Sequence, residues 1–278
     1  MKTTSHPSKL PFMKMHGLGN DFVVVDLRNK KFSITEKFIK SISDRHRGIG
    51  FDQLAVINDH KTSDLHLTFY NADGSKVSTC GNATRCVARY EMVRLKKSSL
   101  NIMTEHGLLQ AAIVSENETR VNMGHPLISW NEIPLSKEVD TLELPLDGKP
   151  TATSMGNPHC TFFVKNAEEI ELEDLGPLFE NNSLFPEGTN VQVVSLLAKN
   201  HLRMRVWERG VGHTLASGSS ACASAVAAAR KGLTGKTVKV DLDGGQLQID
   251  WQDSGVWMSG PTRHVFSGEL SQEFLDCI

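Results

Sequence analysis

The chain has 278 residues, a net charge of −2 at pH 7 and a hydrophobic fraction of 39%. This composition is typical of a globular protein and excludes a disordered, collagen-like or coiled-coil chain. The near-neutral charge lacks the basic excess of a protein that binds nucleic acid or an anionic membrane surface. We therefore expect one large domain or two medium ones, with no nucleic-acid partner and no membrane partner.

The five cysteines fit neither a disulfide scaffold nor a zinc site. Five is an odd number, so the cysteines cannot all pair within the chain, and disulfide scaffolds are typical of much shorter chains. Only Cys80 and Cys86 lie close in sequence, and no second pair follows at zinc-finger spacing. No apolar run approaches the ~18 residues of a membrane-spanning helix, and the N-terminus has no apolar signal-peptide core. We expect a cytoplasmic, reducing compartment and no metal.

The hydrophobic pattern predicts many short strands and a few helices, because β-branched or alternating runs outnumber runs with helical spacing. This strand content favours an α+β fold over a doubly wound parallel sheet. The proline-containing stretch 130–150 is predicted to cross between two halves. In chain order, the predicted elements are a strand at 21–27, a helix at 35–45, strands at 51–57 and 65–70, a helix at 81–96, strands at 161–164, 190–196 and 202–207, a helix at 221–231, and strands at 238–242, 247–251 and 256–259.

The chain contains an internal repeat. Several features of the first half recur in the second half at the same spacing, the one that separates Gly19 from Gly156. We therefore predict two pseudo-symmetric halves, at 1–127 (rejoined by 265–278) and 128–264, with the active site in the cleft between them. The matched features are a Gly-Asn turn, a carboxamide, the phase of an alternating strand and a small residue before a helical glycine: Gly19-Asn20 with Gly156-Asn157, Gln53 with Asn190, Leu65–Tyr70 with Leu202–Trp207, Asn71 with Glu208, and Cys80-Gly81 with Ser217-Gly218.

Cys80 stands at the start of the predicted helix at 81–96. Unpaired backbone N–H groups and the positive end of the helix dipole favour a thiolate there, which lowers the pKa of a thiol below its usual value. The same N–H groups bind a carboxylate. The flanking Gly81-Asn82 and the matched Ser217-Gly218 favour a functional Cys80. The alternative is a buried structural cysteine, which is our interpretation of Cys86, Cys160 and Cys222.

Polar residues collect at the matched positions, and together they suit a zwitterionic amino acid. Carboxamides and N–H groups would take a carboxylate, Glu208 an ammonium group, and Arg209 a second carboxylate. For Asn20 and Asn157 the alternative is turn chemistry. For Glu208-Arg209 it is a surface ion pair, and for His159 a satisfied core histidine.

These segments resemble the diaminopimelate epimerase family, from about residue 11 to 270. The resemblance implies two halves, each a mixed, barrel-like sheet around a central helix. It also implies conversion of LL- to meso-2,6-diaminopimelate in lysine and peptidoglycan biosynthesis, without pyridoxal phosphate or metal, by a homodimer. The motifs that carry it are Lys14–Phe22, Gly48–Gln53, Asn71–Ser75 with Cys80–Asn82, Gly156–His159, Glu208–Gly212 with Gly218, and Gly260-Pro261.

The family mechanism implied by this resemblance uses two thiols. One thiolate removes the α-proton, the opposing thiol delivers a proton to the other face, and helix N-termini stabilise the carbanion. Cys80 is then one base, and His159 and Glu208 tune the thiol pKa values. The residues implied in substrate binding are Asn20, Gln53, Asn71, Gly81, Asn82, Asn157, Asn190, Glu208, Arg209, Gly218 and Ser219.

The chain departs from the family at the second thiol, because that position holds Ser217. A hydroxyl is far less acidic than a thiol, and Cys222 lies about 7.5 Å further along the helix axis. Three interpretations are open: an engineered Cys-to-Ser change, a natural variant in which Ser217 or a water it holds relays the proton, or one-sided chemistry with a single thiol. The last includes an amino-acid dehydratase or another racemase. A non-catalytic amino-acid-binding protein is a further alternative.

Overall fold

The computed structural model describes residues 9–78 and 80–278. Short strands separated by a few helices account for most of this chain, as the hydrophobic pattern predicts. The elements are β1 (Leu10–Gly17), β2 (Asn20–Asp26), α1 (Glu36–Ser43), β3 (Gln53–Asn58), β4 (Leu65–Asn71), β5 (Lys76–Val77), α2 (Gly81–Leu95), β6 (Ser99–Thr104), β7 (Gly107–Ile113), β8 (Glu118–Asn122), β9 (Thr151–Ser154), β10 (Pro158–Phe163), α3 (Leu172–Glu180), β11 (Asn190–Ala198), β12 (His201–Glu208), β13 (Gly212–Thr214), α4 (Gly218–Arg230), β14 (Thr237–Leu242), β15 (Gly245–Gln252), β16 (Gly255–Pro261), β17 (Arg263–Leu270) and α5 (Gln272–Asp276).

The chain divides into two compact units. Unit 1 comprises the described residues up to 119 together with 262–278, and unit 2 comprises 120–261. Within unit 1, β17 pairs antiparallel with β1, from Leu10 opposite Leu270 to His16 opposite Arg263. Strands that are far apart in sequence are therefore neighbours in the sheet of unit 1.

The strand register repeats at the interval seen in the sequence. In unit 1, β2 runs parallel to β3 with Phe22 opposite Gln53. In unit 2, β10 runs parallel to β11 with His159 opposite Asn190. The helices α2 and α4 begin at positions related by the same interval. The predicted α+β class and the duplication of the two halves are confirmed.

One helix in each unit packs against several strands. In unit 1, α2 contacts β1, β2, β6 and β7, and in unit 2, α4 contacts β9 to β12 and β14 to β16. The alanine-rich α4 is buried along most of its length, since a helix that is apolar all round belongs in a core. It starts at Gly218 rather than at the predicted Ala221. In the described part of the chain, no helix is long and apolar enough to cross a membrane.

Candidate active site

The N-termini of α2 and α4 carry the two matched candidate bases. Cys80 is the N-cap of α2, in extended conformation, and its Sγ accepts a hydrogen bond from the Ala83 N–H at 3.4 Å. Ser217 is the N-cap of α4, also extended, but its hydroxyl makes no capping hydrogen bond with the helix. Each side chain therefore sits at the positive end of a buried helix.

A two-residue turn presents Asn20 at the start of β2. Gly17 pairs with Asn20 across the β1–β2 hairpin, and the two residues between them have positive φ angles, 56° at Leu18 and 87° at Gly19. Such a turn matches the twist of the flanking strands, and glycine adopts the required φ without steric cost. The turn therefore fixes where the Asn20 side chain emerges.

Asn20 belongs to a hydrogen-bonded relay with a defined direction. Its Nδ2 donates to Asp52 Oδ2 at 3.0 Å, and its Oδ1 accepts from Asn82 Nδ2 at 3.2 Å. Asn82 Oδ1 in turn accepts from Arg85 Nη1 at 2.8 Å. A guanidinium only donates and a carboxylate only accepts. The two charged ends therefore fix the orientation of both carboxamides.

Ion pairs hold the acceptor end of this relay. Arg45 contacts Asp52 at 2.9 Å and Asp21 at 2.8 Å, and Lys14 contacts Asp21 at 2.5 Å. Burial opposes ionisation of Asp21, but hydrogen bonds from Arg45 and Lys14 prevail and lower the pKa of Asp21 to about 2. The Asp21 carboxylate is thus ionised at neutral pH.

Two further carboxamides lie at adjacent strand ends in unit 1. Gln53 begins β3 opposite Asn71, which ends β4. Gln53 Nε2 donates to Asn71 Oδ1 at 3.2 Å, and Asn71 Nδ2 donates to Ser75 Oγ at 3.0 Å. Gln53 directly follows Asp52 in the chain, so this pair lies next to the Asn20 relay.

In unit 2, His159 lies at the centre of a buried polar cluster. Its Nε2 is 2.9 Å from Asn157 Oδ1, and its Nδ1 is 2.9 Å from Gln192 Nε2. The Ser220 hydroxyl lies 3.4 Å from the same Nδ1 and 3.1 Å from Gln192 Nε2. Burial, together with the charge of Arg209, lowers the pKa of His159 to about 3. The ring is therefore neutral at physiological pH.

The second carboxamide of unit 2 fixes the segment after β12. Asn190 is buried; its Oδ1 accepts from the Arg209 backbone N–H at 3.0 Å, and its Nδ2 donates to the Pro158 carbonyl at 3.0 Å. The Arg209 guanidinium donates to the Glu187 carbonyl at 2.8 Å. These bonds place Arg209 beside the segment that carries Asn157 and His159.

Glu208 ends β12 and contacts the next strand. Its Oε1 accepts from Thr214 Oγ1 at 2.6 Å. Glu180, at the end of α3, holds the same loop from the other side, since it accepts from Trp207 Nε1 at 2.6 Å and from the Gly210 N–H at 2.7 Å. The Glu208-Arg209 pair is therefore part of an ordered loop rather than an isolated surface ion pair.

The candidate residues fall into one set in each unit, and their roles in binding and catalysis stay predictions. Gly81 and Gly218 are the first residues of their helices, and Asn82 and Ser219 the second. The unit 1 set is Asn20, Gln53, Asn71, Cys80, Gly81 and Asn82, and the unit 2 set is Asn157, His159, Asn190, Glu208, Arg209, Ser217, Gly218 and Ser219.

Sequence reasoning missed the residues that orient these side chains. Asp52 fixes Asn20, and Gln192 and Ser220 contact His159. Gln192 had a detectable signal, because it is a polar residue within an apolar strand, with valine on either side. A fully buried glutamine in such a strand requires hydrogen-bond partners.

Two of the remaining cysteines are unsuited to thiolate chemistry. Burial raises the pKa of Cys86 to about 11 and raises that of Cys160 further, because a charged thiolate is disfavoured in an apolar interior. Cys222 is buried within α4. Across 9–78 and 80–278, no group of His, Cys, Asp and Glu side chains is arranged to hold a metal ion.

Solved structures with the same architecture place the chain in a known fold class. It is similar to a phenazine biosynthesis protein of the PhzF family from Bacillus anthracis, at 16% identity over 94% of this chain and 99% of that chain, with a TM-score of 0.67. A probable proline racemase from Agrobacterium radiobacter gives 12% identity over 95% and 93%, with a TM-score of 0.69. At these identities the likeness shows the fold: two duplicated α+β units.

Sequence comparison identifies the family. The family model described as diaminopimelate epimerase matches residues 12–128 and 151–265. A diaminopimelate epimerase from Rhodospirillum centenum is 45% identical over 95% of this chain and 93% of that protein. One from Acinetobacter baumannii is 41% identical over 95% and 98%. The chain belongs to the diaminopimelate epimerase family, which confirms the predicted resemblance and its assignment to the isomerases.

Proposed function

We propose that this chain epimerises LL-2,6-diaminopimelate to meso-2,6-diaminopimelate by proton transfer at the α-carbon. The observation that carries the proposal is the pair of helix N-termini, where Cys80 and Ser217 occupy matched N-cap positions of α2 and α4. The reaction serves lysine and peptidoglycan synthesis and uses neither pyridoxal phosphate nor metal. Proton transfer on both faces requires that the side chains of Cys80 and Ser217 approach the same α-carbon. We expect this because the two residues occupy matched positions of the duplicated sequence.

Cys80 is the base that removes the α-proton. Its Sγ already accepts a backbone N–H at the positive end of α2, and this arrangement stabilises a thiolate. The α-proton moves to the thiolate and leaves a carbanion at the α-carbon. N–H groups at a helix N-terminus stabilise this carbanion through their hydrogen bonds to the substrate carboxylate. The reaction needs a reduced thiol and therefore fits a reducing, cytoplasmic compartment.

Ser217 occupies the position of the second proton relay. Its side chain is buried, and its hydroxyl is not committed to capping α4. A hydroxyl holds its proton too tightly to act as an equal partner of a thiol, so proton delivery is the slower half of the reaction. The same observation favours a second candidate function, in which Cys80 alone exchanges the α-proton without inversion.

The remaining polar residues recognise the two ends of the substrate. Carboxamides and helix N–H groups bind carboxylate, Glu208 binds an ammonium group, and Arg209 binds a second carboxylate. The bonds of Asn190 to the Arg209 backbone and to Pro158 support a preorganised site in unit 2. His159 is neutral, so any influence it has on a thiol comes from its dipole rather than a positive charge.

Exchange of the α-proton in D₂O, followed by NMR on LL- and meso-diaminopimelate separately, tests this proposal. Exchange with inversion supports two-sided transfer through Ser217. Exchange without inversion assigns the reaction to Cys80 alone, and binding without exchange supports an amino-acid-binding protein. We expect Ser217→Cys to raise the inversion rate by about 10²- to 10⁴-fold, whereas the control Cys222→Ser should leave it unchanged.

We further propose that the chain forms a homodimer through the exposed side chains of β17 in unit 1. Val265 and Phe266 on β17 are 56% and 47% exposed, and exposed apolar side chains on one strand are typical of an interface. The molecular mass in solution, measured by light scattering across a range of concentrations, tests this. A Phe266→Asp variant that stays dimeric contradicts the assigned face.

A further inference from the structure

A short segment of unit 2 joins two of the candidate functional residues. It comprises residues 212–216, which follow the turn after Glu208 and lead into the N-cap of α4 at Ser217. The first three of these residues form β13. A contact made by this segment therefore acts close to both Glu208 and Ser217.

The register of the β12–β13 hairpin places Thr214 on the same face as Glu208. Glu208 pairs with Gly212, and Val206 pairs with Thr214. Side chains alternate between the two faces of a strand, so the side chains of Val206, Glu208 and Thr214 share one face. Diagonal neighbours on one face are within reach of a long side chain. The half-buried Glu208 side chain can therefore reach the Thr214 hydroxyl.

The hydrogen bond between these two side chains has only one direction when Glu208 is ionised. Thr214 Oγ1 lies 2.6 Å from Glu208 Oε1, and an ionised carboxylate only accepts hydrogen bonds, so the hydroxyl donates. Hydrogen bonds from a hydroxyl to a carboxylate are short, at about 2.5–2.7 Å, and stronger than those between neutral groups. The Thr214 hydroxyl thus restrains one oxygen of the carboxylate.

The turn between β14 and β15 holds Thr214 in place from both sides along the chain. His213 Nε2 lies 2.8 Å from Asp243 Oδ2. The Gly244 N–H donates to the Leu215 carbonyl at 2.8 Å. The residues before and after Thr214 are therefore both fixed to two consecutive residues of one turn.

The matched residue of unit 1 also contacts a nearby hydroxyl. Asn71 is the counterpart of Glu208 in the internal repeat, and its Nδ2 donates to Ser75 Oγ at 3.0 Å. Ser75 comes four residues after Asn71, and Thr214 comes six residues after Glu208. In both units, a hydroxyl from the segment that follows the strand contacts the side chain at the strand end. This recurrence favours a role in orientation over incidental packing.

We infer that Thr214 is a positioning residue that orients the Glu208 carboxylate to receive an ammonium group of the substrate. The hydroxyl restrains the carboxylate before the substrate arrives. Without it, the flexible glutamate side chain has to be ordered when the ligand binds, which weakens binding. The inference rests on the proposed function, in which Glu208 binds an ammonium group.

Two substitutions at position 214 separate the hydroxyl from the shape of the side chain. Thr214→Val removes the hydroxyl and keeps the branched shape, whereas Thr214→Ser keeps the hydroxyl. The matched control is Thr151→Val, in the same unit. Thr151 Oγ1 donates to the Leu142 carbonyl at 2.8 Å, so this control loses a comparable hydrogen bond outside the candidate site.

Two ligands separate a role toward an ammonium group from a general loosening of unit 2. Dissociation constants of the full chain and its variants are measured by isothermal titration calorimetry with meso-diaminopimelate and with pimelate. Pimelate has the same carbon chain and the same two carboxylates, but no ammonium group. The ¹³C chemical shift of the Glu208 carboxylate, assigned by its loss in Glu208→Gln, reports the contact with Thr214 without any ligand.

For Thr214→Val we expect the dissociation constant of diaminopimelate to rise by about 3- to 10-fold, the cost of ordering one flexible side chain on binding. The dissociation constant of pimelate should stay unchanged, and the Glu208 carboxylate resonance should shift. Thr214→Ser and Thr151→Val should bind both ligands as the unsubstituted chain does, with the Glu208 resonance in its original position.

An unchanged affinity of Thr214→Val for diaminopimelate overturns the inference. An equal weakening of pimelate binding, or a Thr214→Ser variant that binds as weakly as Thr214→Val, does so as well. If the unsubstituted chain does not bind diaminopimelate, the proposed function fails, and with it the role toward an ammonium group. The ¹³C shift then still decides whether Thr214 orients Glu208, and an unshifted resonance in Thr214→Val rejects that contact.

Discussion

The matched asparagines of the two units are held by different chemistry. In unit 1, Asn20 lies in a relay that ends in the carboxylate of Asp52 on one side and in the guanidinium of Arg85, through Asn82, on the other. In unit 2, Asn157 is oriented by a neutral ring. Duplication has therefore preserved the position of the carboxamide but not the means of orienting it.

This difference has a physical consequence for robustness. A charged end cannot change from donor to acceptor at neutral pH, so the unit 1 relay has one stable direction. The neutral relay of His159 and Gln192 has two directions that differ only by tautomer and amide orientation. The direction of the unit 2 relay therefore depends only on groups that carry no charge.

The largest expected effect comes from the N-cap of α2. Cys80→Ser replaces the proposed thiolate base with a hydroxyl, and removal of a positioned general base costs about 10²- to 10⁴-fold in rate. Exchange of the α-proton of diaminopimelate in D₂O measures the loss. Cys86→Ala, on the same helix but with a pKa raised to about 11 by burial, is the matched control and should exchange at the unsubstituted rate. Equal losses in both variants would assign the effect to the helix rather than to the Cys80 thiol.

An intermediate effect is expected when the charged end of the unit 1 relay is removed. Asp52→Asn replaces an obligate acceptor with a group of either polarity, which frees Asn20 to turn. We expect KM to rise by about 10-fold, since hydrogen bonds to charged groups are the stronger ones. Arg45→Gln removes the ion pair at 2.9 Å but keeps the Asp52 carboxylate, and should change KM by less than about threefold. Steady-state kinetics of the two variants measure these changes in KM. An equal rise in KM in both variants would mean that the ion pair with Arg45, and not the hydrogen bond to Asn20, is the important contact of Asp52.

A further effect, on acid stability rather than on turnover, is expected in unit 2. The pKa of His159 is about 3 in the folded chain and about 6.5 when unfolded. Between these values the unfolded state binds a proton that the folded state does not, so the free energy of unfolding falls as the pH is lowered, by at most about 1.4 kcal/mol per pH unit. His159→Gln should show a shallower fall in denaturant unfolding between pH 6.5 and 4. Identical slopes would argue that the folded chain accommodates a charged His159.

The sequence predicts the duplication well because its signals are local. A Gly-Asn turn, an alternating strand and a small residue before a helical glycine each report nearby backbone geometry. The repeated register of β2–β3 and β10–β11 follows from them. By contrast, β17 was missed because most of its residues are exposed and show no alternation of polar and apolar side chains.

The orientation of the site residues was beyond sequence reasoning for a different reason. Asp52 is 32 positions from Asn20, and Gln192 is 33 positions from His159. Such partners meet only after parallel strands have paired. The sequence pointed to His159 as a candidate, but not to Gln192, which contacts the His159 ring and which no motif includes. The sequence names residues expected to touch substrate, a role that stays a prediction, but it does not name the residues that orient them.

The pairing of β17 with β1 also sets an order of events during synthesis on the ribosome. Unit 2 is continuous in sequence, whereas unit 1 cannot complete its sheet until residues 263–270 have emerged. Domains generally fold as units as they leave the ribosome. Unit 2 can therefore reach its native fold first, while one edge of β1 stays unpaired until residues 263–270 have emerged.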